Sequence, residues 1–187
     1  MAANAKRECG SCTACCEVMI VPELNKPAHK MCQYADGGCT MYQDRPPTCK
    51  DWNCLWLRGE FRDRDRPDKI GFVPWLMPNS LLREWGHTVV AFRELKEGAT
   101  VLAAAEKIIK KYNRNKISVV VIRRDSGRAF YPAKGFAPTM RRSFDREDVK
   151  YTERGGAFFV DLEFCKQAWP ADYASEDNLR NLIKIEN

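Results

Sequence analysis

Eight cysteines between residues 9 and 54 are the side chains best suited to chemistry in this chain of 187 residues. In a Cys-x-x-Cys unit, two sulfurs can converge on one ion while the amides of the short loop donate hydrogen bonds to thiolate sulfur. Two such units overlap in Cys9-Gly-Ser-Cys12-Thr-Ala-Cys15, and Cys16 follows directly. The spacing predicts a thiolate metal site whose ligands are Cys9, Cys12, Cys15, Cys16, Cys32, Cys39, Cys49 and Cys54.

The adjacent pair Cys15 and Cys16 bears on how many metal centres the site holds. Neighbouring side chains usually diverge, so Cys16 is expected to serve a second ion, to bridge two metals or to face another wall of the pocket. Eight sulfurs are enough for two four-thiolate centres, each holding zinc or an iron–sulfur cluster. The spacing leaves open the metal, the number of centres and the partition of ligands between them.

Residues around the last two cysteines are expected to support the site. Two prolines precede Cys49, which predicts a helix with this thiol near its N-terminus, where the backbone dipole lowers a thiol pKa. Arg45 either hydrogen bonds near the anionic cluster or is an ordinary solvated charge. Trp52 and Trp56 flank Cys54 and would share one face of a helix, either as packing or as a shield against water.

The full pattern carries a resemblance to a known family. The run Cys-x2-Cys-x2-Cys-Cys is followed by Cys32, by Gly38-Cys39-Thr-Met-Tyr42-Gln-Asp-Arg45-Pro46, and then by Cys49 and Cys54. This arrangement resembles the YkgJ-like cysteine-cluster family, which is described as a zinc- or iron-chelating domain. The resemblance covers about residues 9–57 and implies a metal site made from the eight cysteines, an iron–sulfur site included, with no firmly assigned reaction.

The other candidate ligands are expected to lie outside the site. Cys165 has no cysteine near it in the sequence and is predicted to be structural, and His29 and His87 are expected to be surface or turn residues. Disulfide pairing is the alternative use of eight cysteines. The N-terminal residues do not resemble a signal peptide, so we expect a cytoplasmic protein in a reducing compartment, where closely spaced thiols bind metal. No apolar run is long enough to cross a bilayer.

The formal net charge of +6 raises the question of a nucleic-acid partner. In residues 1–57, however, six Lys and Arg residues are balanced by six Asp and Glu residues. Thiolates at the site would also offset part of the positive charge. The expected partner is therefore a metal ion, nucleic acid is not expected, and the sequence does not identify a protein partner.

The pattern of apolar residues predicts an α+β fold in which a small, cysteine-rich, metal-stapled N-terminal module packs on or is linked to a small α+β unit. The module is expected over residues 1–57, and a connector with the α+β unit over residues 58–187. The Pro-containing stretch 74–78 is not expected to form long regular structure. The predicted elements of the unit are strands at 87–93, 117–122, 129–131 and 158–164, a helix from an N-cap at Thr100 through Tyr112, and a last helix from Ser175.

Three functions follow from these features. A metal-binding protein, with a structural or ion-storing cluster, is favoured because eight protein ligands leave no open position for a substrate. An iron–sulfur redox protein or oxidoreductase is the alternative, although the x3-spaced fourth cysteine and following proline of bacterial ferredoxins are missing. A nucleic-acid-binding zinc module ranks third. The chain has no phosphate-binding glycine loop, nucleophile elbow or His-Glu-x-x-His run, so no catalytic residue is assigned.

Overall fold

The computed structural model describes residues 7–77, 86–124 and 127–161. The described chain is a mixed α+β fold with a six-stranded sheet. Its strands are β1 (Phe72–Leu76), β2 (Val89–Glu94), β3 (Ser118–Ile122), β4 (Arg128–Tyr131), β5 (Tyr151–Arg154) and β6 (Ala157–Val160). Its α-helices are α1 (Ala14–Val18), α2 (Pro47–Asp51), α3 (Pro67–Ile70), α4 (Ala103–Arg114) and α5 (Ala137–Phe144), with short 3-10 turns at Pro22–Leu24, Asp63–Asp65 and Ala99–Val101.

The sheet has the strand order β1-β2-β3-β4-β6-β5. Strands β3 and β4 pair antiparallel with Val120 opposite Phe130, and β4 and β6 pair antiparallel with Phe130 opposite Phe158. Strands β5 and β6 form an antiparallel hairpin that closes across Gly155 and Gly156, both with positive φ. The predicted α+β class is confirmed at this level.

The chain divides into two compact units. The first unit comprises the chain up to Trp75 together with Phe92–Thr100, and the second comprises Leu76–Ala91 and the chain from Val101 onward. All eight clustered cysteines belong to the first unit. The expected division at residues 57 and 58 stays a prediction, since it concerns which segments function and fold independently.

Strand β1, like α5 and β5, is an element that the sequence did not predict, and Pro74 and Trp75 lie inside it. Proline cannot donate to a sheet ladder and is therefore confined to edge strands, and β1 is the first strand in the sheet order. The carbonyl of Pro74 accepts a hydrogen bond from the Leu55 amide at 2.8 Å. This bond connects strand β1 to the end of residues 9–57, which we call the cysteine segment. Long regular structure was not expected over residues 74–78, and the described part of this stretch contains the last three residues of the five-residue strand β1.

Helix α4 begins later than predicted. It starts at Ala103 rather than after Thr100, whose hydroxyl and amide instead donate to the buried carboxylate of Glu94. Val101 and Leu102, which the predicted helix includes, are 63% and 59% exposed because they precede the helix. The helix itself is amphipathic, with Ala105 and Ile109 buried.

Phenylalanine rings form much of the core of the second unit. Phe130, Phe144 and Phe158 are fully buried, with ring centroids 4.9 Å apart for Phe130 and Phe144 and 5.8 Å apart for Phe144 and Phe158. Strand β3 is buried along its whole length, and β6 alternates from buried Phe158 to half-buried Phe159, as its sequence predicts. The predicted strands at residues 87–93, 117–122 and 129–131 are confirmed, with boundaries shifted by one or two residues.

Some predictions concern residues beyond those that the structure describes. Cys165, the residues of the last predicted strand beyond Asp161, and the helix expected from Ser175 lie outside the described ranges. Within those ranges, no helix combines the length and the apolar character needed to span a membrane.

Candidate metal centre

One cavity in the first unit is lined by all eight clustered cysteines. Its volume is about 50 Å³, several times the roughly 10–15 Å³ that a single water needs on the same measure. Apart from one lysine and one arginine, the other lining side chains are mainly apolar or aromatic. The sequence-predicted ligands are therefore brought to one place, and they are Cys9, Cys12, Cys15, Cys16, Cys32, Cys39, Cys49 and Cys54.

The first four cysteines are positioned by a tight turn that runs into α1. The amide of Cys12 donates to the carbonyl of Cys9 at 3.0 Å, and Cys15 and Cys16 lie within the helix. The amide of Cys32 donates to the carbonyl of Cys16 at 2.9 Å. This bond fixes the Cys32 loop beside α1, so the fifth cysteine reaches the wall formed by the first four.

The loop that carries Cys39 lies directly against the Cys9–Cys12 turn. A Cβ atom placed on Gly38 would lie 2.8 Å from the carbonyl oxygen of Gly10, a separation that no side chain tolerates without movement of the backbone. Gly38 also has a positive φ. Glycine at position 38 therefore lets two cysteine-bearing loops come close enough to share one cavity.

The last two cysteines come from α2 and from the chain that follows it. Cys49 lies in the first turn of α2, which begins at Pro47 as the sequence predicts. Helix α2 ends at Asp51, so Cys54 lies in an irregular segment, where its sulfur accepts a hydrogen bond from the Leu57 amide at 3.5 Å. Burial raises the pKa of Cys12, and the backbone amide of Ala14 opposes part of that rise by donating to the sulfur in the same way.

Three of the thiols form a hydrogen-bonded group. Cys15 lies within hydrogen-bonding reach of both Cys9 and Cys16. Its thiol lowers the pKa of Cys9 to about 7, assisted by the charge of Arg45, and also lowers the pKa of Cys16. Both contacts keep the pKa of Cys15 well above the usual value. Because Cys15 has one S–H proton, the group favours a thiol at Cys15 and a thiolate at whichever neighbour accepts that proton in a hydrogen bond.

Burial has the opposite effect on four other cysteines. It raises the pKa of Cys12, Cys39 and Cys49, and it raises the pKa of Cys54 to about 11. For Cys49 this direction is opposite to the one expected from the helix dipole. Helix α2 has only five residues, so its dipole does not compensate for the loss of water around the thiol.

Two cations line the cavity among the cysteines. Arg45 donates through Nε to the carbonyl of Tyr42 at 2.8 Å, and its guanidinium stacks 3.8 Å from the centre of the Tyr42 ring. Lys26 is 6% exposed, and its ammonium donates to the carbonyls of Met19, Glu17 and Pro27. Lys26 thus provides a positive charge beside the thiols while satisfying backbone carbonyls at the end of α1.

The sequence pattern does not single out Lys26, which is one charge among the balanced set of residues 1–57. The left-handed backbone of Asn25 and the pairing of Val21 with Lys26 create the turn that brings this lysine inward. Asparagine tolerates that backbone conformation, so the turn has a sequence signal. The burial of Lys26 has no such sequence signal, because it depends on hydrogen bonds to carbonyls outside this turn.

Replacing Lys26 with methionine is expected to destabilise the first unit by about 1–3 kcal/mol, because buried carbonyls lose their donor while the apolar stem remains. Lys30→Met is the matched control, since Lys30 is exposed. The measurement is the midpoint of urea denaturation followed by tryptophan fluorescence. Equal midpoints for the two variants would contradict the assigned role of Lys26.

Both tryptophans of the cysteine segment line the cavity, although not in the way predicted. Trp52 and Trp56 follow the end of α2, so they do not share a helix face. Trp52 packs against Trp75 with ring centroids 6.2 Å apart. The indole nitrogen of Trp56 is buried and has no hydrogen-bond acceptor among the described residues. An N–H group in this position suits a site that supplies an acceptor, such as a thiolate or a sulfide.

The donor set of eight thiols fits a thiophilic ion. Among the described residues, no three Cys, His, Asp or Glu side chains are placed so that they could hold one ion. Tetrahedral ligation with zinc–sulfur distances of about 2.3 Å needs sulfurs about 3.8 Å apart. His29 and His87, as expected, are not among the residues that line the cavity.

Comparison with protein-family models, with curated proteins and with solved structures finds no match to the chain in any of the three.

Proposed function

We propose that the protein binds metal ions, zinc or iron, through its eight clustered cysteines. The observation that carries this proposal is that eight cysteines from separate turns, loops and helices line one cavity. Thiolates are soft donors that suit zinc and iron–sulfur clusters, whereas hard ions such as magnesium prefer oxygen. In this proposal residues 1–57 form the metal-stapled module, and the resemblance to the YkgJ-like family supports it from the sequence side.

The surroundings of the cavity support thiolate ligation in particular. Lys26 and Arg45 provide positive charge, and backbone amides donate to several sulfurs. Such outer hydrogen bonds and charges stabilise metal-bound thiolates in proteins. The hydrogen bonds that Lys26 donates to backbone carbonyls fix its ammonium in place. The positive charge beside the thiols therefore does not depend on a mobile side chain.

The eight cysteines are more than one tetrahedral centre needs. Cys9, Cys15 and Cys16 form one hydrogen-bonded group, and the other five cysteines line the same cavity. We therefore propose two centres or one bridged centre, held by the eight cysteines. Bound metal would supply cross-linking of these segments and, in an iron–sulfur form, the capacity for electron transfer.

Anaerobic purification followed by metal and inorganic sulfide analysis tests this proposal. The wild-type protein is expected to retain zinc or iron, and Cys16→Ser and Cys54→Ser are expected to lower the metal content. Cys165→Ser, the cysteine outside the cluster in sequence, is the matched control and should leave the content unchanged. A wild-type protein that retains no metal after expression with ample zinc and iron would contradict the proposal.

The same experiment separates zinc from iron–sulfur chemistry. Colourless protein with zinc and no sulfide supports a structural or ion-storing site, whereas sulfide in proportion to iron and visible absorbance support the alternative of a redox protein. Comparison of the two variants also shows whether Cys16 and Cys54 serve the same centre. Losses that add in the double variant indicate separate centres, and losses that do not add indicate a shared one.

A further inference from the structure

The positive charge of the chain is concentrated away from the cysteines. Residues 1–75 contain 11 Lys and Arg against 10 Asp and Glu, which is a net charge of +1. Residues 101–161 contain 14 Lys and Arg against 7 Asp and Glu, which is a net charge of +7. The expectation against nucleic acid rested on the balanced charges of the cysteine segment, and that balance does not extend to the second unit.

Helix α4 presents a large part of this charge to solvent. One side of the helix packs on β3 through buried Ala105 and Ile109. Lys107, Lys110 and Arg114 are exposed and recur at intervals of three and four residues, so they form one stripe on the outward side. At a rise of about 1.5 Å per residue, this stripe extends over about 10 Å of the helix axis.

A loop from elsewhere in the unit adds a fourth cation. The amide of Lys134 donates to the carbonyl of Asn113 at 2.9 Å, which fixes this loop beside the C-terminal turn of α4. Together the helix and the loop line an open depression of about 390 Å³, and its lining residues are Lys107, Lys110, Asn113, Arg114, Pro132 and Lys134. Four cations thus surround a single concave surface built from two chain segments. We call this surface the basic depression.

The cations of the basic depression have few acidic partners, whereas several other Lys and Arg residues of the same unit form ion pairs. Glu106 forms an ion pair with Lys110 at 2.6 Å. Within the described ranges, Lys107, Arg114 and Lys134 form no ion pair. Elsewhere in the unit, bases have acidic partners. Arg141 pairs with Glu153, Arg146 with Asp148 and Lys150 with Asp161. Three of the four cations around the basic depression are therefore without an acidic partner among the described residues.

We propose that the basic depression binds the phosphate backbone of a double-stranded nucleic acid. Each strand of a duplex carries a phosphate about every 3.4 Å along the axis, so the 10 Å stripe matches about three consecutive phosphates. No aromatic side chain lines the depression, which favours backbone contact over the stacking of unpaired bases. Contacts to phosphates carry no base-sequence information, so the binding is expected to be independent of base sequence.

A duplex of about two helical turns, labelled for fluorescence anisotropy, is the probe for the full-length protein. Binding is expected to weaken with salt, since each neutralised phosphate contributes a slope of about −0.9 in log K against log salt. The quadruple variant Lys107→Gln, Lys110→Gln, Arg114→Gln and Lys134→Gln is expected to reduce the magnitude of that slope by about 3.6. These side chains are exposed, so the substitutions are not expected to disturb folding.

The matched control removes the same charge from other parts of the unit. It carries Arg141→Gln, Arg142→Gln, Lys150→Gln and Arg154→Gln, none of which lines the depression. The control is expected to retain a slope close to that of the wild-type protein. Equal slopes for the two quadruple variants, or no binding by the wild-type protein at low salt, would overturn the proposal. Binding to vesicles of phosphatidylcholine and phosphatidylserine without binding to the duplex would overturn it too, in favour of an anionic membrane.

Discussion

Complete removal of metal by a strong chelator is expected to unfold residues 9–57 selectively. Helices α1 and α2 have five residues each, and helices this short are not stable alone in water. Apparent binding free energies of structural zinc are about 10–16 kcal/mol at neutral pH, so the ion would contribute most of the order in this segment. Among the predicted effects, this loss of folded structure on metal removal is expected to be the largest.

Limited proteolysis read by mass spectrometry measures this change along the chain. New cleavages are expected within the cysteine segment, whereas helix α4 of the second unit should keep its protection. This internal comparison distinguishes loss of the metal from general denaturation by the chelator. Restoration of protection on addition of zinc or anaerobic iron would show that the effect is reversible. If the metal-free segment kept full protection, a structural role for the metal would be wrong.

Truncation of Phe158 to alanine is expected to cost about 3–5 kcal/mol of unfolding free energy. This side chain is fully buried, and its ring lies 5.8 Å from the Phe144 ring and 5.6 Å from the Tyr151 ring, centroid to centroid. Its removal leaves a cavity between β6, α5 and β5. A loss of this size is comparable to the whole stability of a small domain.

The neighbouring residue provides the control for this prediction. Phe159 is the same residue type on the same strand, but it is half-buried and contacts the Arg154 guanidinium at 5.8 Å from its ring centre. Phe159→Ala is expected to cost no more than about half as much, since it leaves no enclosed cavity. Urea denaturation followed by circular dichroism measures both values. Similar losses for the two variants would contradict the assigned difference in burial.

The features that the sequence predicted well are those with a local signal. The alternation around Phe158 and the continuous β-branched run of β3 each specify a strand through their own spacing. The eight cysteines were also predicted as a set, and the structure brings them to one cavity. Residue type and spacing were sufficient here, because closely spaced thiols are uncommon unless they share a role.

The features that the sequence did not predict depend on contacts with distant segments. Pro74 lies in a strand because that strand is at the sheet edge, which its own residues do not reveal. Thr100 is an apparent N-cap, but it bonds to Glu94 because that carboxylate is buried beside it. The pKa of Cys49 depends on how deeply the thiol is buried, and the position of Cys49 near the start of α2 gives no information on that depth.

The construction of the cavity also determines when its ligands become available during synthesis of the chain. Its walls come from both ends of the cysteine segment, and Cys16 precedes Cys54 by 38 positions. At a synthesis rate of about 5–20 residues per second, Cys54 leaves the ribosome about 2–8 seconds after Cys16. Until Cys32 follows, 16 positions after Cys16, the nascent chain presents the first four thiols alone, and the set of eight is complete only with Cys54. A centre that needs ligands from both ends is therefore completed only after these early thiols have met the ions of their surroundings.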